Sequence, residues 1–313
     1  MKYLTSKAYW PLLAVFDAFG NIFMKKHRQP PEILRKALFI RLEHIGDMVM
    51  ATPVFESFKK SNPECEIHVL CQSLTTPLIR FNPFVDKIIE FDAPWFSRKS
   101  VKKNDIKDIL KKEKYDIVFE MHGDPRNLSI AHATGGYVVG YACRGGGFLI
   151  NKKMPYDPKA HMISQNMTLV SDYINSSAGK MKIYTDKKSR AEAVSLMRKN
   201  ELKRCRFVVI QPRTGRPEKD LTDQEVANFV KSSKLKVVIT GSIDDVKRNE
   251  AFSSLPNSVN LTGKTSLLGL VELVKMAQSV LAADTGIVHI SGAVGKKCRV
   301  IYKTTDRKVW GYE

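Results

Sequence analysis

The 313-residue sequence has no long apolar run and no paired cysteine motif. A membrane-spanning helix needs about 18 or more successive apolar residues, so none is predicted. The five cysteines form no C-x-x-C pair and are odd in number, which argues against a zinc site and against a disulfide framework. We therefore expect buried thiols in a reducing compartment, a cytoplasmic location and no bound metal.

Acidic residues are scarce relative to basic ones. There are 32 Asp and Glu against 51 Lys and Arg, which gives a formal net charge of +19. Such a charge indicates an anionic partner: nucleic acid, an acidic membrane surface or a phosphorylated substrate. The cations are spread along the chain without an arginine-rich tail or a recognisable nucleic-acid motif. A membrane or phosphate partner is therefore favoured, and nucleic acid is not.

An apolar stripe marks the N-terminal segment, residues 1–30. It consists of Trp10, Leu12, Phe16, Phe19 and Phe23, and the basic run Lys25-Lys26-His27-Arg28 follows it. This pattern is typical of an amphipathic helix lying in the plane of a membrane. A helix packed on the protein itself gives the same pattern and remains an alternative. A secretory signal is disfavoured because Asp17 interrupts the apolar stretch.

Short apolar segments typical of buried strands alternate with helical patterns along the rest of the chain. In the first half, strands are predicted over 37–42, 66–71, 87–91 and 116–121, and helices over 47–60 and 105–113. In the second half, strands are predicted over 206–211, 236–240, 259–261 and 279–283, and helices after Thr222, after Asp244 and over 266–277. A polar stretch at 175–180 separates the two halves.

This alternation predicts an α/β fold with parallel sheets covered on both faces. We expect two doubly wound, Rossmann-like domains, residues 31–175 and 176–313, facing each other across a cleft. Ligands of such folds collect at the carboxyl ends of the strands.

The segment Asp284-Thr285-Gly286 lies where an apolar strand turns directly into a helix that Gly295 can close. The first N–H groups of a helix lack partners and the helix dipole favours negative charge there. A phosphate can therefore dock beside Thr285 and Gly286 while Asp284 accepts a hydrogen bond from a hydroxyl. An ordinary capped helix is the alternative.

Taken as a set, the motifs resemble glycosyltransferase family 9. They are Phe39-Ile40-Arg41-Leu42-Glu43-His44-Ile45-Gly46-Asp47 with Ala51-Thr52-Pro53, Gly123-Asp124-Pro125-Arg126, and Asp284-Thr285-Gly286 with His289, and they keep the family's order and separation. The family contains the bacterial heptosyltransferases that build the inner core of lipopolysaccharide from ADP-heptose. The resemblance implies a GT-B fold, an acceptor bound mainly by the N-terminal domain, an ADP-heptose donor bound by the C-terminal domain, and inverting transfer without a metal or other cofactor.

The resemblance also implies two catalytic residues. Asp47 matches the family's proposed general base, which takes the proton of the acceptor hydroxyl as the new bond forms. Capping of its helix is the alternative role for Asp47. Lys219 matches a lysine at the donor diphosphate, where a cation stabilises the charge of the leaving group. The family usually has an aromatic residue and a proline after this lysine, whereas Asp220-Leu221 follow here, and a solvated loop lysine is the alternative.

Further donor and acceptor contacts are implied by the same matches. On the donor side these are Thr214, Gly215, Thr265, Asp284, Thr285, Gly286 and His289. Thr214 and Gly215 match positions around the diphosphate, and Thr265 matches a position near the adenine. Thr265 can instead cap a helix, and His289 can face either the donor or the core. On the acceptor side the residues are His44, Gly46, Asp124 and Arg126.

The C-terminal end departs from the family pattern. The usual Gly-Pro-Thr-Asp is replaced by Tyr302-Lys303-Thr304-Thr305-Asp306, and the chain stops soon afterwards. Family members usually continue into a further helix. The resemblance therefore predicts either a short member without that helix or a truncated chain.

The leading hypothesis is an inverting transfer of heptose from ADP-heptose to the lipid A-linked core, by a protein bound peripherally at the cytoplasmic face of the inner membrane. A transferase that uses another nucleotide sugar or a protein acceptor is one alternative. A non-catalytic, membrane-associated nucleotide-sugar binding protein is another, and the presence of Asp47 argues against it. Nucleic-acid binding lacks a supporting motif.

Overall fold

The structure, a computed structural model, describes residues 10–23, 28–95, 103–175 and 179–311. The chain divides into two compact units, Met1–Gly179 and Lys180–Glu313. Each unit contains its own sheet and its own apolar core. No helix among the described residues combines the length and the apolar character that crossing a bilayer requires.

The first unit is built on a parallel sheet. Its strands are β1 (Lys36–Arg41), β2 (Glu66–Cys71), β3 (Lys87–Glu90), β4 (Ile117–Glu120), β5 (Tyr137–Gly140) and β6 (Lys152–Lys153). They form a 6-stranded sheet in the order β3-β2-β1-β4-β5-β6. Ala37 of β1 pairs with Ile67 of β2 on one side and with Ile117 of β4 on the other. The central strand is therefore β1, and the strand order reverses beside it.

Helices precede, connect and follow these strands. They are α1 (Trp10–Phe23), α2 (Ile45–Ser61), α3 (Thr76–Ile79), α4 (Lys103–Lys112), α5 (Pro125–Ala133) and α6 (Met162–Val170), with short 3-10 helices at Gly147–Leu149 and Ser171–Tyr173. The predicted helices over 47–60 and 105–113 correspond to α2 and α4. The side chains of Trp10, Phe16 and Phe23 and the residues Lys25, Lys26 and His27 lie outside what the structure describes.

Both faces of β1 are buried. On one face Phe39 stacks on Phe119, with ring centroids 4.8 Å apart, and meets Phe55 and Phe58 edge-on at 5.5 and 5.3 Å. On the other face Leu38 and Ile40 belong to a second apolar cluster with no exposed surface of their own. Alternate residues of a strand point to opposite faces, so a continuous apolar run is what a doubly covered strand requires.

The second unit contains a 5-stranded parallel sheet. Its strands are β7 (Phe207–Gln211), β8 (Lys236–Ile239), β9 (Ser258–Asn260), β10 (Ser279–Ala283) and β11 (Cys298–Ile301), in the order β11-β10-β7-β8-β9. Ile210 of β7 pairs with Leu281 of β10 and with Ile239 of β8. The order of the strands therefore reverses between β7 and β10.

The helices of the second unit are α7 (Lys187–Lys199), α8 (Asp223–Ser232), α9 (Leu267–Met276), α10 (Gly286–Ala293) and α11 (Arg307–Trp310). Gly295, which was predicted to close α10, lies two residues beyond its last residue and has a φ of 65°. The N–H of Gly295 donates to the Gly292 carbonyl at 3.2 Å, and the N–H of Lys296 donates to the Ser291 carbonyl at 2.8 Å. This pair of bonds closes the helix in a Schellman motif.

The structure confirms the α/β class and the parallel sheets, and it corrects two predictions. The helix predicted after Asp244 is wrong: the chain instead forms 3-10 helices at Ile243–Asp245 and Lys247–Ser254. Asn249 is fully buried there and donates to Thr262, which fixes the turn from inside the unit. The expectation of buried thiols holds for Cys65, Cys71 and Cys143, but Cys205 is exposed.

Candidate functional site

In each unit, the carboxyl ends of two adjacent strands meet where the strand order reverses. These strands are β1 and β4 in the first unit, and β7 and β10 in the second. Loops that leave such a pair diverge to opposite faces of the sheet, and the crevice between them is where open α/β sheets bind ligands. Most of the predicted site residues lie on these loops.

Asp47 lies in the first turn of α2, directly after β1. Its Oδ2 accepts the N–H of His44 at 3.2 Å, and its Oδ1 accepts a hydrogen bond from Nη2 of Arg41 at 3.1 Å. The side chain is 15% exposed. The carboxylate therefore caps α2, which was the alternative role for Asp47. The same carboxylate is held by the Arg41 guanidinium, and part of it remains exposed to solvent.

The cation that holds Asp47 is the last residue of β1. The Arg41 side chain is only 1% exposed, its Nη1 donates to the carbonyl of Met121 at 2.7 Å, and its Nε lies 3.4 Å from Oε2 of Glu43. Met121 directly follows β4. One guanidinium thus joins the carboxyl ends of β1 and β4 to the first turn of α2.

Next to Arg41 lies a buried group of polar side chains. Nδ1 of His122 is 3.0 Å from Oε1 of Glu43, and Nδ2 of Asn127 donates to Glu43 at 3.1 Å and to Glu120 at 3.2 Å. Glu120, the last residue of β4, has no exposed surface and accepts the N–H of Gly123 at 2.5 Å. We call Arg41, Glu43, Glu120, His122 and Asn127 the β1–β4 network.

The pKa values in this network diverge for physical reasons. Burial, and then the charge of Glu43, raise the pKa of Glu120 to about 7. Burial alone would raise the pKa of Glu43 too, but its contact with His122 and the charge of Arg41 outweigh burial and lower that pKa. Burial opposes the charged form of His122, yet its contact with Glu43 raises the His122 pKa. The network therefore favours the ionised form of Glu43 and the protonated form of His122 more than water does.

The four predicted acceptor residues all lie in this unit. His44 is exposed and Gly46 is buried at the start of α2. Asp124 caps α5 by accepting the N–H of Arg126 at 2.8 Å, and it binds the Arg126 side chain at 2.9 and 2.6 Å. The Arg126 guanidinium, 51% exposed, lies 5.3 Å from the centre of the Trp95 ring. The structure therefore brings Asp124 and Arg126 together at the start of α5.

In the second unit, Lys219 and Asp284 are in direct contact. Lys219 ends a 3-10 helix, Pro217–Lys219, in the loop after β7, and Asp284 follows β10. The Lys219 Nζ donates to Oδ2 of Asp284 at 2.8 Å and to the hydroxyl of Thr305 at 2.6 Å. The two charged side chains are 15% and 8% exposed. The alternative of a solvated loop lysine is therefore wrong.

Thr214 and Gly215 lie in the same loop as Lys219. The N–H of Thr214 donates to Oδ1 of Asp220 at 2.8 Å, and the Thr214 hydroxyl donates to the carbonyl of Arg216 at 2.6 Å. A Cβ placed on Gly215 meets no atom within 4 Å, so this position borders open space. Arg213 is buried beneath the loop and donates to the Leu221 carbonyl at 3.0 Å.

Helix α10 starts at this same edge of the sheet. Thr285 is its N-cap in an extended conformation, and within the described chain the Thr285 side chain makes no capping hydrogen bond. The first N–H groups of such a helix are suited to an anion. The Thr285 side chain therefore does not cap α10, and the donor contacts at Asp284-Thr285-Gly286 stay a prediction.

The other two predicted donor residues, His289 and Thr265, have surroundings that differ from those of Lys219 and Asp284. His289 is 5% exposed, and its ring centroid lies 6.5 Å from that of Trp310 in α11, so the side chain packs inside the unit. Thr265 is half-buried, but the cap of α9 is Ser266, whose hydroxyl accepts the N–H of Gly269 at 3.0 Å. The alternative of Thr265 as the helix cap is therefore wrong.

A sequence profile of glycosyltransferase family 9 (heptosyltransferase) matches residues 105–312, about two thirds of the chain. The chain belongs to glycosyltransferase family 9. A Haemophilus influenzae protein assigned as a glycosyltransferase is 29% identical over 105 residues. That match spans 33% of this chain and 29% of the Haemophilus protein.

Solved structures support the family 9 assignment at the level of fold. A family 9 glycosyltransferase from Veillonella parvula superposes with a TM-score of 0.78 at 18% identity, covering 89% of this chain and 83% of that one. The E. coli ADP-heptose lipopolysaccharide heptosyltransferase II gives 0.74 at 18% identity, covering 88% and 87%. The E. coli heptosyltransferase WaaC with ADP gives 0.70 at 16% identity, covering 88% and 90%. The predicted GT-B-like fold is confirmed.

The sequence of this family 9 glycosyltransferase did not lead us to predict the β1–β4 network, in which Arg41, Glu43, Glu120, His122 and Asn127 contact one another. The available signal was a charged residue directly after a buried apolar run in each of two strands, Arg41 after Leu38-Phe39-Ile40 and Glu120 after Val118-Phe119. A charge at the end of a doubly buried strand needs partners, and those partners were on the adjacent loops. Among the described residues, no group of three or more His, Cys, Asp or Glu side chains is arranged to hold a metal ion.

Proposed function

We propose that this family 9 protein transfers heptose from ADP-heptose to the inner core of lipopolysaccharide, with inversion at the anomeric carbon and without a metal ion. The observation that carries the proposal is the contact of Lys219 with Asp284 at the start of α10. It gathers a cation, a carboxylate and the N-terminal N–H groups of α10 at one sheet edge. The E. coli WaaC structures contain ADP or ADP-2-deoxy-2-fluoro heptose, which supports ADP-heptose as the donor.

On the donor side, each group has a distinct task. The Lys219 ammonium has three N–H donors, and two of them are used by Asp284 and Thr305. The third can bind an oxygen of the donor diphosphate, together with the N–H groups of Thr285 and Gly286. Asp284 keeps lone pairs for a sugar hydroxyl, and Thr214 and Gly215 border the open space beside the diphosphate.

On the acceptor side, Asp47 is the proposed general base. The acceptor hydroxyl gives its proton to the Asp47 carboxylate while its oxygen bonds to the anomeric carbon. The bond from that carbon to the diphosphate breaks, and ADP leaves with the electron pair. Attack on the face opposite the leaving group inverts the anomeric centre. Lys219 and the α10 N-terminus stabilise the charge that develops on the diphosphate, which a metal ion would otherwise do.

The charge of the protein supports a phosphorylated, lipid-linked acceptor. The net charge of +19 attracts anionic surfaces, and Arg126 presents a half-exposed guanidinium close to the β1–β4 network. His44, Asp124 and Arg126 are the proposed acceptor contacts. A peripheral position at the cytoplasmic face of the inner membrane would give the enzyme access to such an acceptor.

Donor binding is tested by calorimetry with ADP-heptose, ADP, UDP and GDP. We expect ADP-heptose and ADP to bind and Lys219→Met to weaken both by about 10- to 100-fold, because one charge-assisted hydrogen bond is lost. The matched control is Lys231→Met, an exposed lysine of the same unit. Failure of ADP-heptose to bind, or equal binding by Lys219→Met, would overturn the donor assignment.

Transfer is tested with heptose-free lipopolysaccharide as acceptor, in the presence of a chelator, with the product's anomeric configuration read by NMR. We expect heptose in the inverted configuration and an undiminished rate in the chelator. Transfer only to a protein, or only from another nucleotide sugar, would replace the proposed substrates. Donor binding without transfer to any acceptor would leave a non-catalytic binding protein.

A further inference from the structure

One face of helix α1 is fixed to the first unit. Asp17, 9% exposed, accepts the N–H of Gly146 at 2.7 Å and the N–H of Gly147 at 3.1 Å through Oδ1. A Cβ added to Gly20 would lie 2.3 Å from the Phe148 ring, so the helix backbone approaches that ring closely. These contacts settle which side of α1 faces the protein.

The opposite face of α1 is apolar and exposed. Leu12 is 67% exposed, Val15 56%, Phe19 61% and Ile22 74%. At 3.6 residues per turn, these four side chains fall within an arc of about 80°, on the side of the helix away from Asp17. We call them the α1 stripe. Neighbouring large apolar side chains left in water on one helix face mark an interaction site.

The α1 stripe shares two residues with the stripe that the sequence pattern predicted. Leu12 and Phe19 are common to both, and Val15 and Ile22 are exposed beside them, while the side chains of the other predicted residues lie outside what the structure describes. The rotation of α1 is set by Asp17, which points at the amide groups of Gly146 and Gly147. A carboxylate with two amide donors sets the rotation of the helix more strictly than apolar spacing does.

Cations accompany the stripe. The helix is followed in sequence by Lys25-Lys26-His27-Arg28. The Arg28 guanidinium would lie 3.4 Å from a Cβ added to Gly135, just after α5, and the Lys107 ammonium donates to Ser129 of α5 at 3.0 Å. The Lys153 ammonium would lie 3.0 Å from a Cβ added to Gly147, next to the loop that holds Asp17. Apolar side chains flanked by cations match the interface of an anionic bilayer.

We propose that the α1 stripe inserts into the interfacial region of an anionic lipid bilayer. A lipid surface accepts the apolar side chains, and its headgroups attract the flanking cations. Pairing of two copies through this face is disfavoured because each chain carries a net charge of +19. The inference is independent of the transfer reaction, since it needs neither a donor nor an acceptor.

The experiment is co-sedimentation of the full chain with vesicles of phosphatidylcholine, with and without phosphatidylglycerol. We expect binding to the phosphatidylglycerol vesicles, weakened by added salt, and at least about 10-fold weaker partitioning for the triple variant Leu12→Ser, Phe19→Ser, Ile22→Ser. Single substitutions provide a matched pair, Ile22→Ser at 74% exposure and Ile243→Ser at 72% in the second unit. Only Ile22→Ser should weaken binding.

Thermal unfolding shows whether the variants remain folded, which is expected because the substituted side chains are exposed. Unchanged binding by the folded triple variant would overturn the proposal, and so would equal binding to vesicles without phosphatidylglycerol. Light scattering tests a second copy as the occupant. A dimer that the triple variant loses, without vesicle binding by the wild type, would replace the lipid with another chain.

Discussion

Arg41 is a charged side chain in a position that is costly for a charge. It is 1% exposed, and taking a guanidinium out of water costs several kcal/mol unless its N–H groups find partners. Met121 and Asp47 accept hydrogen bonds from the guanidinium, and Glu43 forms an ion pair with it at 3.4 Å. Lysine presents a compact ammonium in place of a planar fork and cannot hold the same three groups in one geometry. Arg41 is therefore a positioning residue for Asp47.

Replacing Arg41 should destabilise the fold. Arg41→Met removes the guanidinium charge beside the buried Glu43 and beside Asp47, and we expect the free energy of unfolding to fall by about 3–5 kcal/mol. Urea unfolding followed by circular dichroism measures the loss. The control Arg35→Met removes an exposed arginine of the same unit and should stay within about 0.5 kcal/mol of wild type. Equal stability of the two variants would contradict the proposed role of Arg41.

Asp47 can be tested almost without changing its shape. In Asp47→Asn the side-chain oxygen can still accept a hydrogen bond from Arg41 or His44, but the amide cannot take a proton. We expect the transfer rate to fall by about 100- to 10,000-fold, with ADP affinity unchanged. Steady-state kinetics and calorimetry separate the two effects. Asp108→Asn, an exposed residue of α4, is the control, and near-normal transfer by Asp47→Asn would exclude Asp47 as the base.

At the scale of elements, the turn that ends α10 depends on the left-handed backbone conformation of Gly295 rather than on side-chain contacts. Gly295 has a φ of 65°, and a Cβ there meets no atom within 4 Å. Gly295→Ala should therefore cost about 1–2 kcal/mol through left-handed strain alone. Gly215→Ala is matched, since its Cβ also meets open space but its φ is not left-handed, and it should change the stability by less than about 0.5 kcal/mol. Equal stability losses in the two variants would contradict this explanation.

The sequence predicted elements well where burial decides the pattern. Both faces of β1, β4, β7 and β10 are covered, so their apolar runs were visible. The short strand β6 is only Lys152–Lys153 and carries no apolar signal. The 3-10 helix Lys247–Ser254 could not be distinguished from an α-helix, because its geometry depends on the buried Asn249 rather than on spacing.

At the scale of the whole molecule, the sequence predicted that the candidate site residues lie on loops, but it did not predict which of them are in contact. Asp284 and Lys219 are 65 residues apart in sequence. Their contact requires β7 and β10 to be neighbours in the sheet. The apolar pattern of either strand alone does not predict the order of the strands. The partnership of Arg41 with Met121 depends in the same way on the pairing of β1 with β4. The motifs therefore predicted which loops carry the candidate site residues, whereas the contacts between these residues depend on the strand order of each sheet.

The stability of the molecule should depend on pH through Glu120. The pKa of this carboxyl is about 7 in the fold against 4.5 ordinarily, so the unfolded chain loses the proton first as pH rises. As pH rises from about 4.5 to about 7, ionisation of Glu120 in the unfolded chain therefore lowers the free energy of unfolding, by about 3 kcal/mol in all. His122 acts in the same direction, because its raised pKa means that its contact with Glu43 weakens when it loses its proton.

The test compares urea unfolding at about pH 5 and pH 8. Glu120→Gln should lose less stability over this interval than wild type does, because its side chain does not ionise. Glu250→Gln, which removes an exposed carboxylate, should retain the wild-type dependence. Parallel pH curves for wild type and Glu120→Gln would show that Glu120 does not control the decline.

The central place of β1 has a consequence for motion. Its backbone is bonded to β2 and β4 along its length, and both of its faces are buried. Amide hydrogens at Ala37 to Ile40 should therefore exchange with solvent only through the largest opening events of the unit. Arg41 continues this strand, so the support of Asp47 belongs to the part of the unit that opens least. The proposed base would then keep its geometry while surrounding loops fluctuate.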